Sequence, residues 1–211
     1  MTYKIKEIFY TLQGEGSHAG RPAVFCRFAS CNLWTGRERD RARAVCQFCD
    51  TDFVGTDGPG GGKFPTAASL VEAVAAAWPS HTGGQPMVVC TGGEPLLQLD
   101  EAAVSEFHES GFYVAVETNG TVVPPPGIDW LCVSPKVGSA LAVSAGDELK
   151  FVIPQGDVDP TSFEHLEFDS FRVQPMDGPK LEDNTAHAVN FCLEHPRWHL
   201  SIQTHKYLRI P

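Results

Sequence analysis

The chain has 211 residues, of which 42% are hydrophobic and 20% are charged, a composition typical of one globular domain. Its formal net charge of -10 argues against tight nonspecific nucleic-acid binding, which requires Lys and Arg to neutralise phosphates. No apolar run is long enough to cross a bilayer, and the N-terminus lacks the apolar segment of a signal peptide. We therefore expect a single domain over residues 1–211, located in the cytoplasm, with no nucleic-acid or membrane partner.

Short runs rich in β-branched and aromatic residues alternate with helical patterns along the chain. The predicted strands are Ala23–Phe28, Met87–Cys90, Tyr113–Glu117, Trp130–Val133, Leu149–Ile153, Phe171–Gln174 and Trp198–Ile202. The predicted helices are Thr66–Trp78, Asp100–Ser110 and Asp183–Glu194, with Thr66 and Asp183 as candidate caps. Such alternation predicts an α/β fold. Because few helices are predicted, we expect an incomplete, open TIM-type barrel: a mostly parallel sheet with few outer helices.

Two further segments are predicted to lie on the surface. Gly55–Pro65 is rich in glycine, which indicates a flexible loop. In Arg37–Arg43 the charges nearly alternate in sign, which favours a solvated helix or loop.

Polar motifs follow five of the predicted strands. They are Cys31, Thr91-Gly92-Gly93-Glu94-Pro95, Glu117-Thr118-Asn119-Gly120, Ser134-Pro135-Lys136 and Gln174-Pro175-Met176-Asp177. In parallel α/β folds the carboxyl ends of the strands carry the active site. We therefore expect these motifs to share one site.

The seven cysteines are an odd number, which disfavours a disulfide framework. Four of them, Cys26, Cys90, Cys132 and Cys192, lie in apolar segments, and most of these are interpreted as small buried hydrophobes. The other three lie among polar and loop residues and require another explanation; they are Cys31, Cys46 and Cys49.

Cys46-Gln47-Phe48-Cys49 is a C-x-x-C pair, and three interpretations of it are open. A redox dithiol fits the loop context poorly. A zinc site would need a fourth ligand such as His18 or His205. A [4Fe–4S] cluster on three thiolates would leave one iron free for a cofactor such as S-adenosylmethionine, which a reduced cluster cleaves to a 5′-deoxyadenosyl radical.

The motif after the second predicted strand suits this cofactor. Gly92-Gly93 allows close approach of a ligand to the backbone, although a tight turn would use the same residues. Glu94 can accept a hydrogen bond from an ammonium group. Phe48 is a candidate to pack on adenine, or it is simply a core residue.

Taken together, the motifs resemble a known family. The C-x-x-C pair, the upstream Cys31 and the G-G-E-P motif resemble the radical S-adenosylmethionine superfamily, and further blocks are similar to its 7-carboxy-7-deazaguanine synthase branch. Those blocks are 12–16, 20–22, Phe25, Arg27, 31–33, 49–51, 117–120, 134–136 and 203–206. The resemblance spans nearly the whole chain. One departure is an inserted loop at 32–45, which separates Cys31 from Cys46 where the superfamily usually has three residues.

The resemblance implies the reaction and its requirements. The substrate would be 6-carboxy-5,6,7,8-tetrahydropterin, which loses ammonia as its ring contracts to 7-carboxy-7-deazaguanine, in 7-deazapurine (queuosine) biosynthesis. A [4Fe–4S] cluster, S-adenosylmethionine and Mg²⁺ would be the cofactors. An electron donor, either flavodoxin-like or a chemical reductant, and a homodimeric state are also expected.

Candidate site residues follow from the motifs and the resemblance. The cluster ligands are Cys31, Cys46 and Cys49, and the family pattern places Mg²⁺ at Thr51. Candidate contacts to S-adenosylmethionine are Phe48, Cys49, Asp50, Gly92, Gly93, Glu94, Ser134, Pro135, Lys136, Gln174, Pro175, Met176 and Asp177. Candidate contacts to the pterin are Leu12, Gln13, Gly14, Glu15, Arg27, Cys90, Glu117, His205 and Pro211.

Among these, Arg27 is the candidate partner of the substrate carboxylate, because a guanidinium binds a carboxylate in a directional, bidentate way. No side chain is assigned a catalytic role, since the cofactor would carry the radical chemistry. Two other functions remain open: another radical S-adenosylmethionine enzyme such as a glycyl-radical activase, and a zinc-stabilised binding protein.

Overall fold

The computed structural model describes residues 2–80 and 83–211, and nine strands in this part of the chain form one sheet. The strands are β1 (Tyr3–Leu12), β2 (Pro22–Phe28), β3 (Gly62–Phe64), β4 (Met87–Gly92), β5 (Tyr113–Thr118), β6 (Trp130–Val133), β7 (Ala145–Ile153), β8 (Glu167–Pro175) and β9 (Trp198–Leu200). Their order is β3-β1-β2-β4-β5-β6-β7-β8-β9. From β2 to β9 every neighbouring pair is parallel, whereas β1 is antiparallel to both β2 and β3. The prediction of a mostly parallel, open sheet is confirmed.

Two strands were not predicted from the sequence. In β1 the register with β2 shifts between Ile5 and Glu7, so the alternation of apolar residues is interrupted and Ile5 and Ile8 are both buried. The short strand β3 lies inside the predicted loop Gly55–Pro65, and it exists because β1 provides a hydrogen-bonding partner.

Four α-helices are seen in the described residues: α1 (Ala67–Ala77), α2 (Glu101–Glu109), α3 (Leu181–Glu194) and α4 (Thr204–Leu208). Thr66 caps α1 as predicted, with its side chain accepting from the Ser69 backbone N–H. The prediction of Asp183 as a cap is wrong, because α3 begins at Leu181 and Asp183 lies in its first turn. A carboxylate is favourable there too, since it faces the positive end of the helix dipole.

The two faces of the sheet differ in chemistry. Helices α1, α2 and α3 pack on one face, where the main apolar core includes Val24, Cys26 and Phe28 of β2. Alternate residues of the same strand, Phe25 and Arg27, point to the opposite face. That second face is therefore the interior of the open barrel, and it carries both a small apolar cluster and polar side chains. None of the described helices has the length and apolar character needed to cross a membrane.

Candidate active site

A cavity of about 410 Å³ opens at the carboxyl ends of the parallel strands, on the interior side of the sheet. Its lining includes nearly every residue predicted above. The predicted residues that line it are Leu12, Gln13, Gly14, Glu15, Arg27, Cys31, Cys46, Phe48, Cys49, Asp50, Thr51, Gly92, Gly93, Glu117, Ser134, Lys136, Gln174, Pro175, Asp177, His205 and Pro211. Segments far apart in sequence thus meet at one place because the parallel strands all end at the same edge.

Cys90 does not line this cavity, and its side chain is fully buried in the core on the helix-facing side. The reason is the two-residue period of a strand, which turns Cys90 away and Thr91 inward. Thr91, which the sequence analysis did not select as a ligand contact, lines the cavity, and its hydroxyl donates to Glu117 Oε2 at 3.0 Å. The Cys90 side chain therefore lies outside the cavity that its neighbour Thr91 lines.

Glu94 lies behind the cavity wall and is fully buried. Its carboxylate accepts hydrogen bonds from the backbone N–H groups of Leu96 at 3.0 Å and Asn119 at 2.7 Å, and from the Thr118 hydroxyl at 2.7 Å. Burial raises the pKa of this carboxyl, while these three donors oppose the rise. In this arrangement Glu94 joins the ends of β4 and β5. Pro135 and Met176 likewise do not line the cavity.

The glycine pair is explained by contacts within the protein. A Cβ on Gly92 would lie 2.2 Å from the carbonyl oxygen of Phe28, and one on Gly93 would lie 2.0 Å from that of Ser30. Backbone hydrogen bonds keep the two segments this close: the Gly93 N–H donates to the Phe28 carbonyl oxygen, and the Glu94 N–H donates to the Ser30 carbonyl oxygen. The glycines therefore let the end of β4 pack directly against the segment that presents Cys31.

The three cysteines line the same cavity, with Cys46 buried and the other two partly exposed. The Leu33 N–H donates to Cys31 Sγ at 3.4 Å. A hydrogen bond from Cys46 lowers the pKa of Cys49 to about 6, helped by the charge of Lys136, although burial opposes this. The hydrogen bond to Cys49 and burial raise the pKa of Cys46, and burial raises the pKa of Cys31, so among the three it is Cys49 whose surroundings favour the thiolate, the form that binds metal. No three His, Cys, Asp or Glu side chains among residues 2–80 and 83–211 are grouped to hold one metal ion.

The insert 32–45 folds as a closed loop. The Val45 N–H donates to the Leu33 carbonyl at 3.1 Å, which brings its two ends together. Within it, residues Glu38–Arg43 form a short 3-10 helix. Arg41 packs over the Trp34 ring and donates to the carbonyl oxygens of Gln47 at 2.9 Å and Cys49 at 3.0 Å. The long spacing therefore still brings Cys31 to the same cavity as the C-x-x-C pair.

Charged side chains form the opposite wall. Glu15 pairs with the buried Lys150, and Glu117 accepts from Gln13 Nε2 at 3.0 Å. Arg27 uses its Nε to pair with Glu7 at 2.7 Å while lining the cavity.

The C-terminal segment lies across the cavity. Lys206 donates to both Asp50 and Asp177 at 2.5 Å, and so connects the segment that carries Cys46 and Cys49 with the end of β8. Thr11 Oγ1 donates to the carbonyl oxygen of Pro211 at 3.2 Å, which holds the chain end at the cavity wall. Helix α4 itself was not predicted, because five residues are too few to give a periodic pattern.

The fold and this cavity define a class: an open α/β barrel with a cysteine-lined site at the carboxyl edge of its strands. QueE from Escherichia coli shares the fold, with a TM-score of 0.72 at 24% identity over 96% of this chain and 94% of that one. No protein-family model matches the chain.

Curated relatives match over their full length. The 7-carboxy-7-deazaguanine synthase of Bordetella pertussis is 63% identical over 211 residues, and that of Caulobacter vibrioides is 60% identical over 213, each with 100% of both chains covered. This chain belongs to the 7-carboxy-7-deazaguanine synthase family.

Proposed function

We propose that this chain is a radical S-adenosylmethionine lyase that converts 6-carboxy-5,6,7,8-tetrahydropterin into 7-carboxy-7-deazaguanine with loss of ammonia. The observation that carries this proposal is the full-length match to curated 7-carboxy-7-deazaguanine synthases, and their reaction suits a cavity lined by both thiols and carboxylates. The product would enter 7-deazapurine biosynthesis, including that of queuosine. The protein would act in the cytoplasm as a homodimer and take electrons from a flavodoxin-like donor.

In this proposal Cys31, Cys46 and Cys49 hold a [4Fe–4S] cluster. Three thiols that line one cavity together with the cation Lys136 provide a suitable donor set. With S-adenosylmethionine bound and one electron delivered, such a cluster supplies a 5′-deoxyadenosyl radical.

Around the cluster, the remaining cavity residues are proposed to bind and orient S-adenosylmethionine, the pterin and Mg²⁺. S-adenosylmethionine would contact Phe48, Cys49, Asp50, Gly92, Gly93, Ser134, Lys136, Gln174, Pro175 and Asp177, with Glu94, Pro135 and Met176 supporting them. Arg27 would bind the pterin carboxylate, and Gln13, Glu15, Thr91 and Glu117 would bind its polar edge. Thr51 is the proposed protein ligand of Mg²⁺, with substrate oxygens and water completing the coordination.

The test is an anaerobic assay with the carboxylated tetrahydropterin, S-adenosylmethionine, Mg²⁺ and dithionite, read by mass spectrometry. We expect a product that has lost ammonia, from protein holding about four iron and four sulfide per chain. One zinc and no iron would instead support the zinc-stabilised binding protein. Cleavage of S-adenosylmethionine that is independent of the pterin would favour an activase.

Arg41 provides a first prediction about the cluster loop, the segment 46–49 that carries the C-x-x-C pair. Replacing Arg41 with Ala removes two hydrogen bonds to carbonyl groups of that loop and the contact with Trp34. Because hydrogen bonds from charged donors stabilise by about 1.5–3 kcal/mol, we expect iron release to a chelator to be about tenfold faster. The control is Arg39→Ala, since Arg39 is exposed and its ion pair with Asp40 is long, at 3.8 Å. Equal release rates for both variants would contradict the role.

The C-terminal segment provides a second prediction. Deleting residues 209–211 removes Pro211, which lines the cavity and is proposed to contact the pterin. We expect KM for the pterin to rise about tenfold, which corresponds to ~1.4 kcal/mol of lost binding. Leu208→Ala is the control, because that side chain is 59% exposed and the terminus is retained. An unchanged KM in the truncated protein would refute the role.

A further inference from the structure

Lys150 is a buried cation in the interior of the barrel that the sequence analysis did not select. It lies on β7, lines the cavity and is 5% exposed. Its Nζ donates to Glu15 Oε2 and lies 3.8 Å from Glu117 Oε1. A charge buried this deeply is costly unless it is paired, so the two carboxylates stabilise Lys150 and Lys150 stabilises them.

Neutral side chains also donate hydrogen bonds to the same two carboxylates. Gln203 Nε2 donates to Glu15 Oε1 at 2.9 Å. Gln13 Nε2 donates to Glu117 Oε1, and Thr91 Oγ1 donates to Glu117 Oε2, both at 3.0 Å. The orientation of both carboxylates is therefore determined, and both residues line the cavity.

The electrostatics of this cluster depend on Lys150. Burial raises the pKa of Glu15, but the charge and hydrogen bond of Lys150, together with Gln203 and His205, hold that pKa at about 2. Burial lowers the pKa of Lys150, but the surrounding carboxylates raise it well above its ordinary value. The other titratable or charged groups around the pair are Glu117 on β5, Cys132 on β6, Lys136 after β6, Glu148 on β7, Arg172 on β8 and His205 on α4.

We infer that Lys150 is a positioning residue, which keeps Glu15, and secondarily Glu117, as ionised acceptors directed at the ring N–H groups of the pterin. The inference rests on the proposed function for the identity of the ligand. The chemical basis of the inference is the difference between the two forms of a carboxyl group. An ionised carboxylate only accepts hydrogen bonds, whereas a protonated carboxyl group also carries an O–H donor, and an N–H group cannot accept a hydrogen bond from that donor. Lys150 acts through Glu15 and is distinct from the residues that contact the substrate.

The test is a fluorescence titration with 6-carboxypterin, a stable oxidised form of the substrate, on reconstituted protein with S-adenosylmethionine and Mg²⁺. In the parent protein we expect Kd to be constant between about pH 7 and about pH 6, where the pterin keeps its ring proton, because Glu15 stays ionised. In Lys150→Met, burial is no longer opposed by that cation, so the pKa of Glu15 rises. Kd should then be at least about tenfold weaker, and it should weaken further as the pH falls.

Three companion variants make the test specific. Lys150→Arg should keep the flat pH profile, and Lys180→Met, at an exposed lysine, should bind like the parent. Lys150→Met should weaken 6-carboxypterin binding less in a Glu15→Gln background than in the parent protein, because the Glu15 charge that Lys150 stabilises is already absent there. If Lys150→Met does not fold, Lys150→Met with Glu15→Gln replaces it, because that pair leaves no lone charge at the two positions; binding close to that of Glu15→Gln alone supports the inference.

The outcomes separate the inference from the proposed reaction. Parent-like affinity and a flat profile in Lys150→Met, or strictly additive effects of the two substitutions, would overturn the inference alone. Tight 6-carboxypterin binding without conversion of the tetrahydropterin would overturn the proposed reaction alone. A parent protein that binds no 6-carboxypterin would overturn both.

Discussion

Alanine in place of Cys31, Cys46 or Cys49 is expected to abolish iron incorporation and, with it, the cleavage of S-adenosylmethionine. Each substitution removes one of the three thiols that line the cavity, and the proposed cluster has no spare protein ligand. Iron and sulfide analysis after anaerobic reconstitution, followed by chromatography of 5′-deoxyadenosine, measures the effect. We expect the yield of 5′-deoxyadenosine to fall below about 1% of that of the parent protein.

The matched control is Cys192→Ala. Cys192 lies on α3, packs against the main core and does not line the cavity. Iron content and cleavage should therefore stay at the level of the parent protein. Cleavage that survives in Cys31→Ala would show that the insert does not deliver a ligand, and would leave the C-x-x-C pair as a site of another kind.

Gly93→Ala is expected to destabilise the fold and to displace Cys31. The new methyl group would lie 2.0 Å from the Ser30 carbonyl oxygen and 3.0 Å from Cys31 Cβ, and the first of these is a backbone atom that cannot rotate away. Overpacking of this kind costs about 2–3 kcal/mol. For a chain of this size that cost lowers the melting temperature by about 5–10 °C, and iron content should fall in parallel.

Gly83→Ala is the control for this substitution, because a Cβ at Gly83 would meet no heavy atom of the described residues within 4 Å, chain neighbours aside. Calorimetry and iron analysis on both variants test the idea. If Gly93→Ala melts like the parent but no longer binds S-adenosylmethionine, the glycine serves the cofactor directly, and the packing explanation fails.

The local pattern of apolar and polar residues was sufficient to predict much of the fold. The seven predicted strands all appear as β2 and β4–β9, and the three predicted helices appear as α1, α2 and α3. Of the two predicted caps, Thr66 is confirmed and Asp183 is wrong. The strands without a readable pattern were missed. In β1 a register shift interrupts the alternation, and β3 depends on a partner distant in sequence.

Part of the candidate site, like part of the fold, could be predicted from the sequence, and the rest required the structure. Motifs at strand ends identified part of the cavity lining, because parallel strands must end at a common edge, and the C-x-x-C pair and the family resemblance identified further lining residues. The choice between Cys90 and Thr91 depended on which face each residue occupies, and a strand boundary misplaced by one residue reverses that choice.

The sequence by itself determined the class of chemistry in this protein through its family resemblance, which rests on three cysteines, a glycine pair and strand-end polar residues that are each readable from residue type and spacing. Only the tertiary structure decided how these parts work together. It joined the ends of the insert through Leu33 and Val45, turned the glycine pair toward the cysteine segment, and buried Lys150 between Glu15 and Glu117. These contacts connect residues from separate strands and loops, and a pairing between distant segments leaves no periodic signal in either one.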